Sequence, residues 1–310
     1  MRVVALFGPT GVGKTAVAVA LAERLRARGE SPVAVSADAL QVYAGLETLT
    51  GVASAAERAR LEHRLISFLP LDASFSAGQY AQLAHAQIDE LLAAGRRPLV
   101  VGGTGLYLRA ALTALSLRPP PPEGLRERLT AELERDGAQA LHARLRARAP
   151  ASAAAIDAND RQRVVRALEL LELGELDADE DGALERAGGR SQLWSEEVRR
   201  ATLLVGLTME REALYAAIDA RVQGMLAAGA REEVLRAHAA GASQTARKAL
   251  GFEELLAGDV EAMKRHTRNY ARRQLTWMRK LAGVQVLDVT AREADAVAAE
   301  ILERLDCAAG

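Results

Sequence analysis

The sequence predicts an α/β fold: a parallel sheet flanked by helices, with a helical insertion domain. Three observations carry that prediction. A glycine-rich loop joins an apolar strand to a helix at the N-terminus. Strand-like and helix-like segments then alternate through the first third of the chain. Finally, four consecutive prolines open a charged helical stretch, after which strand character returns.

Val3-Val4-Ala5-Leu6-Phe7 is a short apolar run of the kind that forms a buried strand. Gly8-Pro9-Thr10-Gly11-Val12-Gly13-Lys14-Thr15 follows it and fits G-x-x-x-x-G-K-[ST] in full. A helical pattern opens directly behind, with Ala16-Val17-Ala18. Strand, loop and helix N-terminus in that order make a P-loop, and the core is expected to be a P-loop NTPase-like sheet. Its backbone N–H groups wrap an anion, Lys14 neutralises it, and the Thr15 hydroxyl is placed to hold Mg²⁺. The motif is nucleotide-binding in most settings, but alone it does not say which phosphate compound it holds.

Val33-Ala34-Val35-Ser36 is a second strand ending at Asp38. Gln79 to Leu92 reads as a helix, with Gly95 as its stop. Pro98-Leu99-Val100-Val101 is a buried strand running into Gly102-Gly103-Thr104-Gly105. Thr15, Asp38 and Thr104 thus all fall at or just beyond the carboxyl ends of strands, where a parallel sheet binds its ligands. Pro119 to Pro122 mark the clearest boundary. Helices are expected at Glu123 to Asp136, at Gln139 to Ala149, and from a cap near Asn159-Asp160 to Leu173. Residues 174–192 are acidic and weakly patterned, as in a loop. A strand returns at Ala201 to Leu207, a long helix covers Lys264 to Leu281, and a last strand lies at Val284 to Leu287. The expected domains are 1–118 with 198–310 for the core and 119–197 for the insertion.

Composition bounds the function. At 310 residues and 49% hydrophobic content, the chain can bury a large core. A formal charge of −1 gives no general affinity for polyanions, so any nucleic-acid site must be a local patch. The lone Cys307 excludes a disulfide framework and a cysteine zinc site. No apolar run is long enough to span a bilayer and no leader pattern is present, so a cytoplasmic location without membrane contact is expected.

Asp38 beside a phosphate loop suits a Mg²⁺ ligand, a general base or a helix N-cap. Val100-Val101 runs into glycine, where an ATPase or motor would place its metal-holding acid, which weakens that reading. The segment Gly102 to Tyr107 lets backbone approach a ligand and offers the Thr104 hydroxyl, or it is a plain tight turn. On the late helix, Arg265, Arg268, Arg272 and Arg279 fall within a sector of roughly 60°. Met263, Tyr270, Trp277 and Leu281 occupy the other side, facing the core. A stripe of guanidinium groups matches phosphates spaced along a nucleic-acid backbone. Arg161, Arg163 and Arg166 form a second basic set, and the two together are suited to clamping a bulky polyanion.

These residues resemble the bacterial tRNA dimethylallyltransferases (isopentenyl-tRNA transferases). The resemblance runs through Gly8 to Thr15, Asp38 to Tyr43, Val101 to Tyr107, Asn159 to Glu169, Gly206-Leu207-Thr208, Gly251-Phe252-Glu253 and Thr267 to Trp277. The Asn-Asp-Arg-Gln-Arg and Gln-Leu-Thr-Trp blocks are its most particular parts. It implies transfer of a dimethylallyl group from dimethylallyl diphosphate to N6 of adenosine 37, next to the anticodon, in tRNA. Lys14, the loop amides, Arg221 and Mg²⁺ on Thr15 would then hold the diphosphate. Asp38 would act as base, and Thr104 would orient the adenine or the donor. Arg211 and Arg221 are equally suited to phosphate binding and to structural ion pairs. The family's tRNA-contacting segments fall, in this chain, on Asp38, Ala39, Leu40 and Gln41 with Thr104. They continue at Arg126, at Gln162, Arg163, Val164, Val165 and Arg166, and at Lys248, Gly251 and Phe252. The last group is Arg268, Arg272, Arg273, Gln274, Thr276, Trp277 and Arg279.

The chain departs from the family pattern at Ala44, at Thr50 to Ala53, at Ala217, and at Lys248-Ala249-Leu250 with Phe252. The expected partners are the tRNA anticodon stem-loop and dimethylallyl diphosphate, with the protein a monomer. Alternatives are an adenylate isopentenyltransferase, a small-molecule P-loop kinase, and an RNA-binding protein with a vestigial P-loop. Neither small-molecule enzyme needs the basic helices.

Overall fold

A computed structural model describes residues 1–115, 121–176 and 193–307. Six parallel strands form one sheet in the order β3-β2-β4-β1-β5-β6. They are β1 Val3–Phe7, β2 Pro32–Ser36, β3 His63–Arg64, β4 Arg97–Gly102, β5 Thr202–Thr208 and β6 Gln285–Asp288. The apolar character of β1, and of β2 up to its last residue Ser36, is what a parallel sheet covered on both faces demands, and every residue of both is buried. The sequence reading misses only β3 among the strands, because two residues at a sheet edge are too short for periodicity to register.

The register places the ligand-facing loops side by side. Phe7 at the end of β1 pairs with Gly102 of β4 and with Gly206 of β5. Helix α1 (Lys14–Ala27) carries the chain from β1 to β2 on one side, whereas β4 leads on towards β5 on the other. The loops after β1 and β4 therefore flank the switch point of the sheet, the position where such folds open a crevice. The core beneath is built from Leu6, Leu21, Leu99, Val205 and Ile301 among others.

Contacts divide the chain into two compact units, Met1–Ala114 with Glu196–Gly310, and Leu115–Ser195. The sequence reading set the corresponding bounds at 119 and 197. In the first unit the longer helices are α1, α2 (Ala77–Ala93) and α3 (Gly105–Leu112). In the second they are α4 (Leu125–Asp136), α5 (Ala138–Arg148) and α6 (Arg161–Glu172), packed around Leu129, Leu145, Val164 and Leu168. Helix α6 begins where the sequence places a cap, with the Asp160 carboxylate accepting from Arg163 N at 3.1 Å. The first unit resumes with α7 (Arg211–Ala227), α8 (Ala230–Ala239), α9 (Val260–Met278) and α10 (Ala294–Cys307). Pro119, Pro120 and the acidic stretch from 177 to 192 lie outside the described residues. No helix among the described residues is long and apolar enough to cross a membrane.

Candidate functional site

The loop after β1 turns into α1 through Gly13, whose φ of +90° only glycine adopts without strain. The next residue, Lys14, folds back over its own loop and donates from Nζ to the Gly8 and Pro9 carbonyls, both at 2.8 Å. Burial lowers its pKa from 10.5 to about 7, and the nearby Arg221 guanidinium adds to the shift while Asp38 opposes it. The Thr15 hydroxyl makes no hydrogen bond to another described residue.

Arg221 comes from α7 into the same cavity, which has a volume of about 520 Å³. Its guanidinium lies flush on Gly51, where a Cβ would stand 1.7 Å from Nη2. The backbone under it is fixed by Gln41, whose Nε2 donates to the Gly51 carbonyl at 3.0 Å. Ser36 Oγ in turn donates to Gln41 Oε1 at 3.0 Å. Burial lowers the Arg221 pKa, with Asp38 and Glu57 opposing, and no ion pair holds Arg221 among the described residues. Of the two arginines the sequence left open, Arg211 sits over the Tyr215 ring and does not line this cavity. Two desolvated cations facing each other describe a place for an anion.

Asp38 lines the same cavity. One of its oxygens accepts from Leu40 N at 3.0 Å, a local Asx turn; no helix starts there, so the N-cap alternative falls. Thr104 is the residue before α3, yet its hydroxyl caps nothing. It accepts from Ala39 N at 3.3 Å and shares a hydrogen bond with the Tyr270 hydroxyl. Burial first, then Asp38, lift the Tyr270 pKa to about 12, so the phenol stays neutral at ordinary pH. Tyr270 is a cavity residue that the sequence reading assigns to core packing. Its phenol, on the helix face shared with Met263 and Trp277, is the one signal that it had a polar partner.

Among the described residues no cluster of three or more His, Cys, Asp or Glu side chains is built to hold a metal. The free Thr15 hydroxyl in the cavity wall still fits Mg²⁺, which takes few protein ligands and completes its shell with phosphate oxygens and water.

The RNA-facing residues proposed from sequence divide by burial. Gln162, Arg163, Lys248, Arg272, Arg273, Thr276 and Arg279 are exposed, and Lys248 and Arg273 also line the cavity. Others are buried or packed within the protein. Val164 and Val165, 0% and 8% exposed, face the core of α6 because they sit on its apolar stripe. Gly251 and Phe252 are buried in the cluster with Tyr43 and Leu46. Gln274 is 4% exposed and its amide is spent inside the protein. Trp277 packs against Gly105, where a Cβ would meet its ring at 2.2 Å. The arginine stripe is also less free than it reads, since Arg268 donates from Nε and Nη2 to the two carboxylate oxygens of Asp219 of α7. In the second unit, Arg126 and Arg166 both bind the buried Glu169 carboxylate, at 2.6 Å and 2.9 Å.

Known proteins resemble this chain in sequence and in fold. A family model described as IPP transferase matches residues 41–281. A tRNA dimethylallyltransferase of Anaeromyxobacter dehalogenans is 44% identical over 301 residues, 92% of this chain and 94% of the relative. One from Symbiobacterium thermophilum is 40% identical over 316 residues, 98% and 95% of the two chains. The crystal structure of the full-length tRNA isopentenylpyrophosphate transferase from Bacillus halodurans superposes with a TM-score of 0.69 at 33% identity, covering 99% of this chain and 96% of that one. A eukaryotic dimethylallyltransferase acting on tRNA shares the fold, with a TM-score of 0.73 at 23% identity.

Proposed function

The chain belongs to the IPP transferase family of tRNA dimethylallyltransferases, and from that premise we propose how its cavity carries out the transfer. The donor is dimethylallyl diphosphate and the acceptor is N6 of adenosine 37, next to the anticodon. The reaction gives N6-(dimethylallyl)adenosine and diphosphate. One observation carries the assignment: Lys14 and Arg221, neither ion-paired among the described residues, converge in a cavity that also holds Asp38 and Thr104.

Two cations and the loop amides suit a diphosphate leaving group. They stabilise the charge that builds on its oxygen as the allylic C–O bond breaks. Mg²⁺, for which Thr15 would be the protein ligand, would supply further positive charge to the leaving diphosphate. The nucleophile, N6, has its lone pair delocalised into the adenine ring. Asp38 takes its proton as the N6–C bond forms, so the electron pair of the C–O bond leaves with diphosphate and the proton stays on the carboxylate. The Thr104 hydroxyl, fixed between Ala39 and Tyr270, orients the adenine or the donor. A base reaching this cavity must leave its stack, so adenosine 37 flips into it.

The test is incubation with radiolabelled dimethylallyl diphosphate, Mg²⁺ and unmodified tRNA, followed by nucleoside analysis. Label is expected on adenosine 37 of tRNA alone. Label on free AMP would move the reading to an adenylate isopentenyltransferase, and absence of label from both would end it.

A further inference from the structure

Gln274 lies on α9, far in sequence from both loops of the site, and only 4% of it is exposed. Its Oε1 accepts from the backbone N–H of Thr10 in the P-loop at 2.8 Å. Its Nε2 donates to the Gly103 carbonyl at 2.8 Å, one residue before Thr104. The fit leaves no slack, because a Cβ on Gly103 would stand 2.2 Å from Nε2 and 3.2 Å from the Gly8 carbonyl. We propose that Gln274 is a positioning residue that sets the distance between the diphosphate cradle and the Thr104 loop.

The chemistry requires an amide. The Thr10 N–H needs an acceptor and the Gly103 carbonyl needs a donor, and these two needs also fix which way round the amide stands. Glutamate would satisfy Thr10 but set a carboxylate against the Gly103 carbonyl, beside an anion site. Methionine would fill the volume and bond neither loop. A buried side chain with both polar ends committed to different loops constrains both, and an unmade bond there leaves a buried N–H and a buried carbonyl unsatisfied. The same helix exposes Arg272 and ends beside the exposed Arg279, so the residue that orders the cradle is carried by the element proposed to meet tRNA. Gln274 is thereby moved from the tRNA-contacting set, where the resemblance put it, to the donor side of the reaction.

The inference rests on the donor reading given above, and the experiment separates the two. Binding of inorganic diphosphate with Mg²⁺ to the full chain is measured by calorimetry without tRNA. It is followed by steady-state transfer and by tRNA binding. Wild type binds diphosphate; failure to do so removes the donor reading and this inference with it. Gln274→Met is expected to raise the diphosphate Kd about tenfold, the scale of a lost pair of buried hydrogen bonds. KM for the donor rises in step and kcat falls, while the Kd for tRNA stays within about twofold of wild type. Gln274→Glu is expected to bind diphosphate more weakly still, through charge repulsion. Gly103→Ala breaks the same bridge from the opposite side with Gln274 intact. Its effect and that of Gln274→Met are expected not to add, as for two changes to one contact. Unchanged diphosphate affinity in both folded variants, or a loss confined to tRNA affinity, overturns the proposal.

Discussion

Arg221 of the first unit behaves in the opposite way to the paired arginines of the second. In the second unit they are spent on carboxylates: Arg126 and Arg166 on the buried Glu169, Arg144 on Glu132, Arg161 on Glu134. In the first unit, where other arginines are paired in the same way, Arg221 is half-buried beside the half-buried Lys14 and has no ion pair among the described residues. Burying a cation unpaired costs stability, and such a cost persists where a ligand offsets it. The same residue type thus holds a helical unit together in one place and waits for an anion in the other. What separates the roles is whether a carboxylate lies within reach.

The largest expected effect falls on Asp38, which lines the same cavity as the cations. Asp38→Ala is expected to lower the transfer rate by about 10²–10⁴-fold, the span of general-base catalysis, with tRNA affinity nearly unchanged. Single-turnover kinetics with saturating tRNA would show it, and retained turnover would remove the base role. Next comes the contrast itself. Arg221→Leu is expected to weaken diphosphate binding about 100-fold, the scale of a lost charge-assisted hydrogen-bonded pair, while the free protein unfolds at the same or a higher temperature. Glu169→Ala should do the reverse. It is expected to destabilise the second unit by about 2 kcal/mol, below the usual cost of breaking a buried pair because the Arg126 side chain left behind is 53% exposed. Diphosphate binding should be unaffected. Calorimetry for the first and hydrogen exchange along α6 for the second decide it; a stability loss in Arg221→Leu equal to that of Glu169→Ala would erase the distinction.

The α/β core could be read from the sequence because its signals are local. The apolar run of β1, the glycine loop and the helix behind it each follow from a few adjacent residues, and β2, β4, β5 and β6 form close to where they are expected. Asp38 and Thr104 could be placed at strand ends for the same reason. The partners of polar side chains could not. Nothing in the sequence near Arg268 announces Asp219 on α7, and nothing near Gln274 announces Thr10 and Gly103. The face of a helix is a weaker signal still: Val164 and Val165 stand within a run of charged residues, yet they belong to the stripe that packs inward.

Lys14 offers a pH-dependent version of the comparison. Its pKa is about 7 in the folded chain against an ordinary 10.5. Between those values the folded protein holds less proton than the unfolded chain, so stability of the free protein rises with pH across that window. An anion reverses the preference, since it draws the proton back to the amine. Diphosphate affinity is therefore expected to fall by up to about tenfold per pH unit above pH 7, with proton uptake on binding. Calorimetry in buffers of different ionisation enthalpy counts those protons. Lys14→Arg, charged throughout, should flatten the dependence, and an equally steep fall in that variant would place the titration elsewhere.

The smallest effect concerns the stripe on α9, where paired and unpaired arginines sit on one helix. Arg279 is exposed, whereas the guanidinium of Arg268 already has the Asp219 carboxylate as its counterion. A side chain with a protein counterion releases fewer salt ions when it meets a phosphate, so it contributes less to the salt dependence of RNA binding. Arg279→Ala is expected to reduce the slope of log K against log salt for tRNA by about 0.7–0.9, one phosphate contact. Arg268→Ala should reduce it by less, and Asp219→Ala should tighten binding by freeing Arg268. Equal slopes for the two arginine variants across a salt titration would mean that the ion pair opens on binding. The stripe would then be as free in the complex as its sequence makes it look.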